Sequence, residues 1–236
     1  MTALPMAVLL VLTPHVTIAQ GDVKPFVTKG FFRETEGILF RMRYPRFQAV
    51  TPLTRLANRV ILRWVRRERA EYMTTTHRPK RSKGSQELEQ EGLSGSRWTY
   101  EADYEVTYYH PDRLISMRFE SCAETGGHHG NCWFTVFNFG RVGGKVRVLV
   151  FEDFFKEGSP YEQFIRDAVV RKLGEEGAPW PENVKQKHLR RFIVTSDGLE
   201  FLFNAYEVGS YAEGSHYAKL TFDELGPAFN RMLVLE

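Results

Sequence analysis

The sequence predicts an α+β fold built on a mostly antiparallel sheet with packed helices. Three observations carry that expectation. Trp98, Tyr100, Ala102, Tyr104, Val106 and Tyr108 alternate with Thr99, Glu101, Asp103, Glu105 and Thr107, the period-two pattern of a long half-buried strand. Residues 52–72 switch to helical spacing, with Leu53, Leu56, Val60 and Trp64 on one stripe and arginines off it. From Phe192 the chain reads as a strand, an Asp197-Gly198 turn, a second strand, an aromatic and glycine-rich loop and a third strand. Aromatic content of 14% favours strands. The 236 residues suffice for one large domain or two small ones.

In chain order, the first element is a segment expected to be removed. The apolar run Ala7-Val8-Leu9-Leu10-Val11-Leu12 leads to Thr17-Ile18-Ala19, small residues suited to a signal peptidase. We therefore expect a signal peptide over residues 1–19 and a secreted or periplasmic protein. No later apolar run approaches the ~20 residues of a membrane span. Thr51-Pro52 then starts the helix, Thr as N-cap and Pro at the first helical position. Residues 41–83 hold thirteen Lys or Arg against two Glu, although the net charge of the whole chain is only +3. Residues 74–96 form a polar excursion, basic over 78–83 and acidic over 87–91. After the long strand, His110-Pro111-Asp112 turns the chain into a strand over 114–120 with Ile115, Met117 and Phe119 on one face. Strands over 133–139 and 145–151 pair through Arg141-Val142-Gly143-Gly144, and a helix over 162–172 turns Phe164, Ile165, Ala168 and Val169 inward. A short helix near 223–231 follows the last strand.

The densest polar constellation is Cys122-Ala123-Glu124-Thr125-Gly126-Gly127-His128-His129-Gly130-Asn131-Cys132, a loop between two strands. It holds both cysteines of the chain, and in an exported protein a Cys122–Cys132 disulfide is the simplest reading. A metal site from Cys122, His128, His129 and Cys132 is the sharper alternative, against which stand the adjacent histidines and a spacing unlike a zinc finger. Free buried thiols are the third. The loop around Tyr206, Glu207 and Tyr211 has two readings, rings that stack on sugars or anchor an interface, and rings packed on a sheet. The chain lacks the serine-hydrolase elbow, the zinc-protease helix motif and a phosphate-binding glycine loop, so no cofactor is expected. Glu152, Asp153 and Glu207, with the His pair, are the groups from which a carboxylate-based glycan hydrolase or a metal-dependent wall enzyme would be built. The basic helix would suit nucleic acid in the cytosol; export leaves anionic wall polymer, lipid head groups or an acidic protein patch.

Several segments together resemble one family. They are Tyr104-Glu105-Val106-Thr107-Tyr108, Thr125-Gly126-Gly127-His128-His129-Gly130, Phe137-Asn138-Phe139, Phe151-Glu152-Asp153-Phe154-Phe155, Asp197-Gly198-Leu199 and the run from Tyr206 to Gly214. In this order they are similar to the extracellular domain of lysozyme-sensing anti-sigma factors, which also precedes the catalytic domain of some peptidoglycan deacetylases. His129 falls where that family's Gly-Gly-Ala-His motif has its His, with His128 in place of the Ala. The resemblance implies two intertwined α+β subdomains, over 20–96 and 97–236, the second similar to a small subdomain of the Hsp70 ATPase but without ATP use. It implies a non-catalytic envelope protein whose ligand is peptidoglycan or a lysozyme-like protein. The contacts expected are His128, His129, Asn131, Tyr206, Glu207 and Tyr211. No stretch of the sequence resembles the sigma-binding or deacetylase segment of those proteins, so neither signalling nor deacetylation is expected of these residues themselves.

Overall fold

A computed structural model describes residues 25–35, 37–76, 98–125 and 129–234. The expected signal peptide, the polar excursion beyond residue 76, and Gly126, Gly127 and His128 lie outside the described residues. Within them the fold is α+β, with β1 (Phe26–Glu34), β2 (Ile38–Phe47), α1 (Pro52–Thr76), β3 (Trp98–His110), β4 (Leu114–Glu124), β5 (Asn131–Val142), β6 (Lys145–Val148), α2 (Tyr161–Glu175), β7 (Phe192–Val194), β8 (Gly198–Phe203) and β9 (His216–Thr221). Strands β1 to β6 form one sheet in sequence order, and β7 to β9 form a second. All pairs are antiparallel except β2 with β3. A parallel neighbour needs a long crossover, and α1 lies in it. The six-stranded sheet therefore takes strands from both sides of residue 96.

Helix α1 forms for the reasons its sequence carries. The Thr51 hydroxyl accepts the Thr54 amide at 3.2 Å and donates to the Pro111 carbonyl at 2.6 Å, which pins the helix start to the β3–β4 turn. Leu53, Ala57, Ile61, Trp64, Val65 and Tyr72 are buried against Phe40, Met42, Tyr100, Tyr104, Val106, Met117 and Phe119 of the sheet. The helix continues to Thr76, four residues past the expected end. Strands β1 and β2 have no counterpart in the sequence reading. The signal of β2 is the alternation of buried Phe40 and Met42 with exposed Arg41 and Arg43, whereas β1 is exposed along most of its length and shows no such alternation.

The alternation of β3 holds until Val106 and then reverses. A bulge inserts Thr107, so that Val106 faces Met117 and Tyr108 faces Ser116. Tyr108 was expected on the face of Trp98 to Val106. It instead packs on the opposite side, against the core of the second sheet, and Tyr109 takes its place beneath α1.

That second core holds Phe151, Phe154, Ile165, Val169, Leu173, Phe192, Phe201, Phe203 and Leu220. Three local expectations are corrected here. Strand β6 stops at Val148, because the Asp153 carboxylate accepts the Val150 amide at 2.9 Å and turns 151–154 into a 3-10 turn with Phe151 and Phe154 inward. Phe164 on α2 is 51% exposed, while Ile165, Ala168 and Val169 are buried together with Leu173. No helix forms over 223–231, because Gly226 takes a φ of 74° and Pro227 follows it; only Arg231–Leu233 coil into a 3-10 turn. Gly198 serves a purpose other than the turn assigned to it. Its φ is not left-handed, but a Cβ there would lie 2.0 Å from the Leu220 carbonyl oxygen of β9, so only glycine lets the two backbones approach.

The two sheets meet through a buried polar relay. The Ser116 hydroxyl accepts the Val194 amide at 2.8 Å and donates to the Asn138 side-chain oxygen at 2.7 Å. The Asn138 amide in turn donates to the Phe192 carbonyl at 3.0 Å. Side chains of β4 and β5 thus satisfy the outer edge of β7, which no strand among the described residues covers.

Candidate functional site

The end of the β4–β5 hairpin carries the Cys-His loop. Cys122 and Cys132 sit directly opposite each other, with Cα atoms 4.1 Å apart, and form a disulfide. The cysteines are therefore spent on a covalent clamp, and the metal alternative loses two of its four ligands. Among the described residues no group of three or more His, Cys, Asp or Glu is placed to hold a metal ion. Replacing both cysteines by Ser should lower stability by about 2–3 kcal/mol, the value for closing a short loop. Thermal melts of the double variant, and of the wild type with reductant, check this.

Beyond the clamp, His129 stacks on Tyr211 with ring centroids 3.9 Å apart and planes 28° from parallel. The Tyr211 hydroxyl donates to the Gly130 carbonyl at 2.6 Å, which ties the hairpin end to the 206–211 loop. Tyr206 completes the cluster, its ring 5.6 Å from that of Tyr211 and its hydroxyl 3.5 Å from His129 Nε2. Tyr211 is set by the turn it opens. The Glu213 carboxylate accepts the Ser210 amide at 2.7 Å and hydroxyl at 2.8 Å, and these bonds hold it below the usual carboxylate range.

Tyr206 has the less ordinary backbone. Its φ is 69°, in the left-handed region, at the third position of a turn closed by the Glu207 amide on the Asn204 carbonyl. Most residues avoid this conformation at a cost of about 1–2 kcal/mol. Its side chain is nonetheless 59% exposed, so burial of the ring does not compensate. Asn131, at the start of β5, is exposed next to the disulfide.

Glu207 is not part of this surface. Its carboxylate turns inward, accepting the Asn204 amide at 2.8 Å and pairing with Arg191 at 2.6 Å. Asn204 accepts the Phe134 amide at 3.0 Å, so the same turn is anchored on β5. Buried His188 lies 4.0 Å from Glu207; burial lowers its pKa and Glu207 opposes the shift. The other acids named in the sequence reading are likewise paired. Glu152 binds Arg190 at 2.8 Å and is held below the usual range by that bond, while Asp153 binds Arg147 and the Val150 amide. A glycosidase acid needs the opposite shift. Among the described residues one carboxyl is pushed up, Glu200, by burial; it lies 3.8 Å from Arg118, which also pairs with Glu105 at 2.8 Å. Sequence reasoning missed this trio because its members come from β3, β4 and β8.

The structure thus brings together His129, Tyr206 and Tyr211, with Asn131 nearby along the chain, and separates Glu207 from them. Among the described residues no helix is long and apolar enough to cross a membrane. No curated protein matches the sequence. The fold is similar to two crystal structures. A DUF3298 family member from Bacteroides fragilis has a TM-score of 0.66 at 17% identity, over 88% of this chain and 96% of that one. A DUF3298 family protein from Pseudomonas aeruginosa has a TM-score of 0.60 at 17% identity, over 90% and 98%. At such identity the likeness is one of fold. Residues 152–223, which include Tyr206, Glu207 and Tyr211, match the model of the family described as a protein of unknown function, DUF3298.

Proposed function

We propose that this protein is an exported, non-catalytic binding protein of the cell envelope, which holds peptidoglycan on the His129, Tyr206 and Tyr211 rings. The observation that carries the reading is Tyr206 itself, exposed, in a left-handed backbone conformation, beside a stacked His129–Tyr211 pair. Strain of this kind gathers at binding sites, where the gain comes when a ligand arrives. Aromatic faces with a polar tip suit the apolar faces and hydroxyls of sugar rings. The disulfide and the Tyr211–Gly130 bond preorganise the cluster, which lowers the entropy lost on binding. The order of motifs similar to lysozyme-sensing domains supports the envelope setting. The pairing of Glu152, Asp153 and Glu207 with arginines favours binding over hydrolysis.

The test is co-sedimentation of purified residues 20–236 with peptidoglycan at low and high salt. Wild type should stay bound at high salt, since stacking and hydrogen bonds are little screened. Tyr206→Ala combined with Tyr211→Ala should lower binding at least tenfold, while the melting temperature falls by only about 2–4 °C for the lost Tyr211–Gly130 bond. Undiminished binding by the double variant would refute the site. Wild type that binds lysozyme but no wall would replace the ligand while keeping the cluster under test.

A further inference from the structure

A second surface, remote in sequence from the aromatic cluster, has the character of a site. A groove of about 540 Å³ runs between α1 and the end of β2, lined by Tyr44, Pro45, Ala49, Asn58, Leu62 and five arginines. The arginines are Arg46, Arg55, Arg59, Arg63 and Arg66, and no acidic residue joins them in the lining. The fold builds this groove firmly. Asn58 accepts the Phe47 amide and donates to the Phe47 carbonyl, both at 2.9 Å, and so locks the helix to the strand.

Among the described residues, many arginines outside the groove have a carboxylate partner. Arg41 pairs with Glu101, Arg43 with Asp103, Arg67 with Glu68 and Glu71, Arg118 with Glu105, Arg190 with Glu152 and Arg191 with Glu207. In the groove, Arg46, Arg59, Arg63 and Arg66 have no ion pair or hydrogen bond among the described residues, and Arg55 reaches only the Ala49 carbonyl at 3.3 Å. Five like charges held together with no counter-charge among the described residues repel one another, so an anion entering the groove relieves the repulsion as well as gaining contacts.

We propose that this groove binds an extended phosphodiester polymer of the polyol-phosphate kind, one phosphate to each arginine fork. Arginine is the side chain suited to two-pronged hydrogen bonding of phosphate. Arg55, Arg59 and Arg63 recur every four residues, which sets them about 6 Å apart along the helix, of the same order as the repeat of an extended phosphodiester chain. Leu62, Pro45 and Ala49 offer apolar contact for the linking carbons. Two other polyanions fit less well. Single-stranded nucleic acid wants free aromatic platforms for its bases, and the one ring here, Tyr44, already stacks on Phe31 at 6.0 Å. An anionic membrane is flat, and α1 has no apolar face to insert, since its Leu53, Ala57, Ile61 and Trp64 are in the core. The inference is independent of the aromatic cluster.

The test is titration of residues 20–236 with poly(glycerol phosphate) of defined length across a salt series. Engagement of all five arginines should give a slope of log K against log salt near about −3.5, reduced in magnitude by about 1.4 in the Arg59→Gln, Arg63→Gln double variant, with an affinity loss of tenfold or more. The control, Lys145→Gln with Lys156→Gln, removes the same charge from exposed sites outside the groove. Equal losses in both double variants would reduce the effect to net charge and overturn the site. Tighter binding of a length-matched single-stranded oligonucleotide, or of anionic vesicles, would overturn the assignment of the polymer. Tyr206→Ala with Tyr211→Ala should leave this titration unchanged.

Discussion

Asn138→Ala is expected to lower the melting temperature by about 6–12 °C, the equivalent of about 3 kcal/mol in a chain of this size. Asn138 is 3% exposed and makes two side-chain bonds, one to Ser116 and one to the Phe192 carbonyl. Truncation removes both and leaves the Phe192 carbonyl and the Ser116 hydroxyl short of partners in a buried place. A stranded buried polar group costs about 1–3 kcal/mol, more than the net gain of the bond it lost. The relay also joins the two sheets, so its loss loosens the contact between the core under α1 and the core around α2. A double-mutant cycle with Ser116→Ala checks the mechanism. The second truncation should cost less than it does alone, by about 1 kcal/mol or more, because the relay is already broken. Additive losses, or a melting shift under about 2 °C for Asn138→Ala, would mean that the junction rests on its apolar contacts alone.

The relay also illustrates what the sequence could and could not carry. Period and capping are local, so most of β3, the two strands flanking the disulfide, the Thr51-Pro52 helix start and the three terminal strands were legible in outline. Asn138, by contrast, sits in Phe137-Asn138-Phe139, where nothing local reveals that its partner lies 54 residues on, at Phe192. The Thr107 bulge is of the same kind. One inserted residue changes which sheet face Tyr108 serves, and the alternation on either side gives no warning. Phe164 looked inward by spacing alone, but which face of a helix is covered depends on what packs over it.

The site divides along the same line. His129, Tyr206 and Tyr211 were nominated separately by type, and the fold brings Tyr206 to His129, 77 positions away, and Tyr211 to Gly130, 81 positions away, in one cluster. Glu207 was nominated by the same reasoning, yet its carboxylate is committed to Arg191 and to the turn that presents Tyr206. A residue's type marks it as able to bind; its partners decide whether it is free to. The arginine groove reverses the case. Its charge was plain in the sequence, while its shape required β2, a strand partly hidden in the sequence by Pro45.

Tyr206→Gly is expected to separate binding from stability, because the two are set against each other at this position. Glycine adopts the left-handed conformation without the clash that Tyr206 bears, a relief of about 1 kcal/mol. The ring it removes is 59% exposed and contributes little burial. The variant should therefore melt at or up to about 4 °C above the wild type, while losing wall binding at least tenfold. Tyr206→Ala supplies the comparison, since it removes the same ring and keeps a Cβ in the strained backbone. It should bind as poorly as the glycine variant and melt below it. If glycine instead melts below alanine, the turn owes its geometry to something other than the strain at Tyr206. If glycine binds as the wild type does, the ring is dispensable and the cluster cannot be the ligand platform. A protein under selection for folding alone would place glycine here, where the turn favours it. The tyrosine, exposed and strained beside His129 and Tyr211, makes sense when its ring has a ligand to meet.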